Sequence, residues 1–230
     1  MKFFKRKYEW TVAIRLLHWI TFISIGVLVF TGFYIAWPFW FTHTPGTKEA
    51  YNIFSMANVR LIHFIAAFVF IFAIILRIYL AFVSWVDADW KEFLFRWLNV
   101  REWIPTLKNY LTFKPYGVKG LKSKYNPVQS LAYFGFIIFS ILQIITGLIL
   151  YTMNENSIRG VAWVQKIFFP ITELFGGYAD VRIAHHLIMW FFIIFVLAHV
   201  YMVIAHDVGE KNGSLSSMFT GWKFEEKKNK

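Results

Sequence analysis

The sequence predicts an all-α integral membrane protein built as a four-helix transmembrane bundle, and three observations lead there. The 230 residues are 58% hydrophobic and 21% aromatic, the excess expected of a chain solvated by lipid. Four stretches, 16–37, 61–85, 128–153 and 183–205, each reach the length of about 20 apolar residues that a hydrocarbon core demands. Asp, Glu, Lys and Arg are confined to the connections, with Arg77 the one full charge inside a span. No long linker interrupts the pattern, so residues 1–230 read as a single domain.

The elements follow in order. Met1-Lys-Phe-Phe-Lys-Arg-Lys7 and the apolar run behind it imitate a secretory signal, but the run continues through Trp37 without a small-residue cleavage site, so the segment reads as a retained span. After the second span, Trp90, Phe93, Leu94, Trp97, Leu98, Trp103 and Leu107 recur at helical spacing among basic residues, which predicts an interfacial amphipathic helix within 86–110. Pro115, Gly117 and Gly120 end it, and Asn126-Pro127 opens the third span with proline in the first turn. Phe30-Thr-Gly-Phe33 in span one is echoed by Ile145-Thr-Gly-Leu148 in span three. Small residues at such sites admit a neighbouring backbone or a flat cofactor, and plain helix packing is the simpler reading. Span three has no histidine, so the echo is not expected to reach the chemistry.

Charge sets the topology. The N-terminal tail carries Lys2, Lys5, Arg6 and Lys7. The connection between spans two and three carries Lys91, Arg96, Arg101, Lys108, Lys114, Lys119, Lys122 and Lys124. The C-terminal tail carries Lys211, Lys223, Lys227, Lys228 and Lys230. The opposite side has only Lys48, Arg60, Arg159, Lys166 and Arg182, which puts both termini in the cytoplasm. This orientation accounts for the net charge of +11; the basic residues flank spans and face lipid headgroups, and nucleic acid is excluded as a partner. There is no cysteine, which removes disulfides, thiolate-held iron-sulfur clusters and covalent c-type haem, so any redox cofactor is held by histidine or methionine.

His185 and His199 stand fourteen residues apart on span four. A helix turns about 100° and rises about 1.5 Å per residue, so the two imidazoles point the same way roughly 21 Å apart. Ionisable side chains in a span mark function by default. With both termini inside, His18 lies near the cytoplasmic start of span one, His63 near the outer start of span two, His185 at the outer start of span four and His199 near its cytoplasmic end. They fall into two pairs at matched depths, His63 with His185 and His18 with His199. Two facing histidines ligate a haem iron from both sides and leave no open coordination position, a site for single-electron transfer. Each ligand would donate its other ring nitrogen to a carbonyl or hydroxyl. A satisfied polar residue in a bundle is the alternative for any one of them, and two matched depths weigh against it for all four. The predicted architecture is therefore a bundle with haems between its helices.

His186 lies about 140° around the helix from His199 and is expected either to support a ligand from behind or to be structural. His206, near the same face at the cytoplasmic mouth, suits either a proton path to a quinone or a solvated helix end, and His43 belongs to an outer loop. Arg77 repeats the fourteen-residue interval from His63, at the depth of the inner site. It would pair with a haem propionate or snorkel to the interface. Arg15, Arg60 and Arg182 carry the same two readings.

A further set of motifs runs along the chain: Arg15-Leu-Leu-His-Trp19 with Thr31-Gly-Phe-Tyr-Ile35, and Arg60-Leu-Ile-His-Phe64 with Arg77-Ile-Tyr-Leu-Ala-Phe82. Asn126-Pro127, Thr146-Gly147, His185 through Trp190, His199-Val-Tyr-Met202, Ser217-Met218 and Gly221-Trp222 continue them. Over essentially its whole length the chain resembles the cytochrome b subunit of membrane-bound nickel-iron uptake hydrogenases, and more distantly the gamma subunit of respiratory formate dehydrogenases. The resemblance implies two haems b on the ligand pairs above and a site for menaquinone or ubiquinone beside the inner haem, bordered by Asn126 and the region around His199. It implies hydrogenase partners outside the membrane, a large nickel-iron and a small iron-sulfur subunit, and a place in the bacterial cytoplasmic (inner) membrane. Hydrogen chemistry would then sit on the partners, and this chain would pass the electrons to quinone. One position departs from the pattern: Arg182 stands where such subunits carry a further histidine. A formate dehydrogenase or a sulfur-compound oxidoreductase as the donor is the nearest alternative, and a haem-free anchor or transporter the more distant one.

Overall fold

The computed structural model describes residues 4–38, 50–91, 95–111, 126–153 and 162–226. Strand β1 (Phe4–Tyr8) leads into helix α1 (Val12–Ala36), followed by α2 (Ala50–Val83), α3 (Trp103–Leu111), α4 (Pro127–Thr152), α5 (Ala162–Phe175), α6 (Tyr178–Glu210), α7 (Ser214–Thr220) and strand β2 (Trp222–Glu226). Four of these are long and apolar enough to cross a membrane: Val12–Ala36, Met56–Val83, Pro127–Thr152 and Tyr178–Gly209. Inside lipid only a helix or a closed barrel satisfies every backbone N–H and C=O, so each apolar stretch folds as one continuous helix. The helices start earlier than their apolar cores because polar residues at the watery ends prolong them. Thr11 caps α1 by accepting from the Ile14 N–H at 3.3 Å. Asn126 caps α4 in a reciprocal box with Gln129, at 2.8 and 3.1 Å.

The spans turn small hydroxylated residues inward and large apolar ones outward. Ser24, Thr31, Ser130, Ser140, Thr146 and Thr152 are buried, while Ile23, Phe72, Ile194 and Leu197 face out. Small side chains let helix backbones approach each other where lipid supplies no hydrophobic drive. Their hydroxyls stay satisfied on the preceding turn: Ser140 donates to the Phe136 carbonyl at 2.7 Å and Thr152 to that of Leu148 at 3.1 Å. α1 packs chiefly on α2, and α4 on α6, so the bundle is a pair of helix hairpins. At mid-depth they share a core of Ile25, Phe70, Ile74 and Phe192, ringed by Phe136, Phe139 and Phe191. Phe192 meets Phe136 at 5.6 Å and Phe70 at 6.2 Å between ring centroids. Phe70 and Phe192 each follow an outer histidine by seven residues, two turns on and on nearly the same helix face.

Two connecting segments differ from expectation. The amphipathic helix expected over 86–110 is broken into 3-10 turns at Arg96–Leu98 and Val100–Glu102 before α3 begins. The Glu102 carboxylate accepts both from Arg96, at 2.8 and 2.6 Å, and from Asn99 at 3.0 Å, while the Trp103 indole donates to the Trp97 carbonyl at 2.7 Å. These local bonds compete with helix propagation. Trp97 then stacks on Phe134 of α4, which ties the segment to the bundle. Phe93, Leu94, Pro115, Gly117, Gly120 and His43 lie outside the described residues. On the opposite side, α5 forms where only a loop was expected. It is 14 residues long with Pro170 inside, too short to span, and the Gln165 amide donates to the Tyr178 hydroxyl at 3.1 Å.

The terminal segments, expected only as charged tails, fold onto each other. β1 and β2 pair antiparallel from Phe4↔Glu226 to Tyr8↔Trp222, the Arg6 guanidinium lies over the Trp222 ring at 5.4 Å, and Arg15 donates to the Phe219 carbonyl. Gly221 makes the junction possible. Its φ is +84°, and an added Cβ would lie 2.7 Å from Tyr8 Cε2 and 2.9 Å from the Trp10 carbonyl oxygen. The Gly221 carbonyl accepts from the Glu9 N–H at 2.9 Å. Gly221→Ala is expected to cost roughly 1–2 kcal/mol from the left-handed backbone alone, before the overlap is relieved. Thermal unfolding in detergent checks this, and an unchanged melting temperature would contradict it.

Candidate functional site

The four histidines at matched depths come together as two pairs. At the inner site, His18 of α1 faces His199 of α6 with ring centroids 6.2 Å apart and planes at 49°. Phe195 stacks on His199 at 5.9 Å with an interplanar angle of 7°, and Tyr133 closes in edge-on at 6.5 Å. The Trp19 indole, next to His18, donates to the Met218 carbonyl at 3.1 Å, and its ring lies 4.6 Å from Phe219. Helix α7 is thereby pinned beside this site.

At the outer site, His63 of α2 and His185 of α6 lie within electrostatic range of each other. Thr31 Oγ1 lies 2.8 Å from His63 Nδ1 and Thr146 Oγ1 lies 2.9 Å from His185 Nδ1. Each hydroxyl has one proton and spends it on its own helix, Thr31 on the Val27 carbonyl at 2.7 Å and Thr146 on the Leu142 carbonyl at 2.8 Å. The hydroxyl oxygen is then left to accept, so Nδ1–H is the donor in both imidazoles and the lone pair sits on Nε2, a tautomer assigned from the hydrogen-bond network. Gln143 agrees with that assignment, because its amide nitrogen lies 3.1 Å from His185 Nε2 and has only protons to offer.

The Thr-Gly echo therefore does reach the chemistry, contrary to the expectation from a histidine-free third span. The threonine of each copy orients the outer histidine on the partner helix of its own hairpin. The glycine that follows lies against the ring: a Cβ at Gly147 would crowd His185 Cε1 at 3.2 Å, while one at Gly32 would reach His63 Cε1 at an ordinary contact distance of 3.7 Å. Thr31, Thr146 and Gln143 were not singled out from sequence as imidazole partners. Their signal was the repeated dipeptide at the depth of the outer histidines.

The remaining candidates are placed as follows. His186 turns Nδ1 onto the Arg182 carbonyl of its own helix at 3.3 Å, away from the His185 pairing. The Ser214 hydroxyl donates to Asn212 Oδ1 at 2.6 Å, so it accepts from His206 Nδ1 at 3.2 Å and fastens His206 to the start of α7. Asn126 spends its side-chain oxygen on the cap of α4. Arg77 has an acidic protein partner that was not foreseen, with both Asp89 oxygens at 2.9 and 2.7 Å from one guanidinium nitrogen. Arg182 is exposed, its guanidinium 4.0 Å from the Met153 sulfur.

Among the described residues no group of three or more His, Asp or Glu side chains is arranged to hold a metal ion. A haem makes no such demand, since the porphyrin supplies four of the six iron ligands and the protein needs only two facing imidazoles. The outer pair fits this requirement in its tautomers: both rings carry the lone pair on Nε2, where that of His185 accepts from Gln143, both Nδ1–H groups are anchored, and a glycine lies beside each ring.

A family model described as prokaryotic cytochrome b561 matches residues 9–221, a stretch that contains all four paired histidines. A probable Ni/Fe-hydrogenase B-type cytochrome subunit from Azotobacter vinelandii is 31% identical, over 94% of this chain and 88% of its own length. The protein of the same name from Cupriavidus necator is 30% identical, over 96% and 88%. The probable Ni/Fe-hydrogenase 1 B-type cytochrome subunit of Escherichia coli K12 is 30% identical, over 94% and 90%.

Asp89→Asn should leave the Arg77 charge poorly compensated at the end of a span. The expected cost is roughly 1–3 kcal/mol, reduced because the pair is partly exposed and screened by salt. Melting curves of the detergent-solubilised protein at low and high salt test it; equal stability of variant and parent at low salt would mean that the pair contributes nothing.

Proposed function

The chain belongs to the prokaryotic cytochrome b561 family, and on that footing we propose that it is the b-type cytochrome subunit of a membrane-bound nickel-iron hydrogenase, passing electrons from hydrogen oxidation to a quinone. The observation that carries this reading is the outer pair, two imidazoles whose hydroxyl-fixed tautomers put the lone pair on Nε2; ligation at His185 would take the place of its Gln143 contact. His63 and His185 would hold one haem b, and His18 and His199 a second. A haem held between two imidazoles would supply one-electron transfer.

The chain's own residues do the rest. Thr31 and Thr146 hold the outer imidazoles in one tautomer, and Gly147 keeps the space beside His185 clear. The apolar plug of Ile25, Phe70, Ile74 and Phe192 separates the two sites and excludes water from the space between them. Electrons would cross the membrane while protons do not, and reduction of the quinone by two electrons would draw its two protons from the side where it docks. Pairing of β1 with β2 holds both termini on one side of the bundle. With the excess of Lys and Arg on that side, this supports a cytoplasmic position for both ends in a bacterial inner membrane. The large nickel-iron and small iron-sulfur subunits would then dock on the opposite side, at the outer site, and the quinone beside His18 and His199.

Haem content of the purified complex, measured as the pyridine haemochrome, tests the assignment. Two haems per chain are expected, with one lost in His63→Ala or His185→Ala, the other lost in His18→Ala or His199→Ala, and both kept in His186→Ala. Equal haem content in the His185 and His186 variants would refute the ligand pairing. Co-purification with a molybdenum-containing formate-oxidising subunit would remove the hydrogenase assignment.

A further inference from the structure

The two sites are built alike in their imidazoles and unlike in what stands behind them. At the outer site both Nδ1–H groups donate to a threonine oxygen, and each oxygen is immobilised by its own bond to a backbone carbonyl one turn back. Such an acceptor cannot rotate away, so it holds the ring in one orientation. By drawing on the Nδ1 proton it also raises the basicity of the Nε2 lone pair. At the inner site His18 Nδ1 is buried with no hydrogen-bond partner among the described residues, and His199 is enclosed by the rings of Phe195, Tyr133 and His18.

We infer that Thr31 and Thr146 are positioning residues that set the tautomer and donor strength of the outer ligands and thereby make the outer site the lower in potential of the two. The inference rests on the two-haem reading above. A more strongly donating imidazole would stabilise the oxidised iron, and a hydrogen bond to the far nitrogen of the imidazole is one of the means by which a protein tunes a haem. The Thr-Gly echo then has a redox purpose. It is present at the depth where both outer histidines sit, one copy in each hairpin, and it orders the two sites so that electrons entering outside run downhill to the inner face.

The test uses the purified complex carrying Thr31→Val, Thr146→Val, Thr31→Ser or Thr146→Ser, with haem content, potentiometric titration of the haem α-band and low-spin EPR of the oxidised protein as readouts. Valine keeps the shape and removes the acceptor; serine keeps the acceptor. Each valine variant is expected to shift one midpoint potential upward and to change one EPR signal. The affected haem should be the one missing from His63→Ala, and serine should restore both values. A valine variant that loses this haem while its serine counterpart keeps it at the parental potential supports the same role.

Unchanged potentials in both valine variants would overturn the inference, as would a shift confined to the haem missing from His18→Ala. So would loss of the haem in valine and serine variants alike, which would assign the site to packing and not to the hydroxyl. In the parent complex, an outer haem of higher potential than the inner one would overturn the ordering. The parental haem content is read separately: fewer than two haems per chain would refute the two-haem reading itself.

Discussion

A polar group inside a hydrocarbon slab has no water to turn to, so its partner has to come from the chain itself. That constraint runs through the whole molecule. It makes the four spans continuous helices, sends the hydroxyls of Ser140, Thr146 and Thr152 back to carbonyls of their own turns, and brings Asp89 against Arg77 at the end of α2. The imidazoles feel it most, because a neutral histidine has a donor and an acceptor on opposite sides of a rigid ring. Thr31 and Thr146 satisfy the donor of the outer pair. The lone pair is then left on Nε2, the atom a metal ligand would offer, and at His185 it meets the Gln143 amide.

The hairpin arrangement turns this local solution into an architecture. α1 with α2 and α4 with α6 each bring one Thr-Gly dipeptide against one outer histidine, so the outer site is assembled from corresponding parts of two similar units. The inner site has no such correspondence, because span three carries no histidine and the two inner histidines come from α1 and α6. Between the sites, Phe70 and Phe192 fill the middle of the bundle, each two turns from its outer histidine and therefore on the same face. The inner site has a different kind of support. The terminal segments close over it, with α7 held by Trp19 and Arg15 and the β1–β2 ribbon tying the first residues to the last.

The spans, their order and the pairing of histidines by depth were legible because each depends on a one-dimensional quantity: the length of an apolar run, the side on which basic residues accumulate, the phase of a helix. His185 and His186 illustrate how far this goes, since a single residue changes the direction of the ring by about 100° and the structure turns them to different partners. Elsewhere the same quantities fell short. The segment before α3 has helical periodicity, yet Glu102 gathers Arg96 and Asn99 into a compact knot that a helix would pull apart. α5 is apolar but too short to register as a span, and Pro170 inside it reads along the chain as a break. The fate of Arg77 depends on Asp89, twelve residues away and beyond the end of the helix, a distance at which no helical phase applies.

By itself the sequence determined that the chain crosses a membrane four times and that four histidines stand at two depths, because hydropathy and helical phase act along the chain and need no knowledge of neighbours. Only the tertiary structure decided what each outer imidazole does with its second nitrogen. That choice depends on which hydroxyl from another helix comes within 3 Å and where that hydroxyl has already sent its proton. It is also why the Thr-Gly echo, a packing feature along the chain, becomes part of the outer histidine site once α1 lies on α2 and α4 on α6.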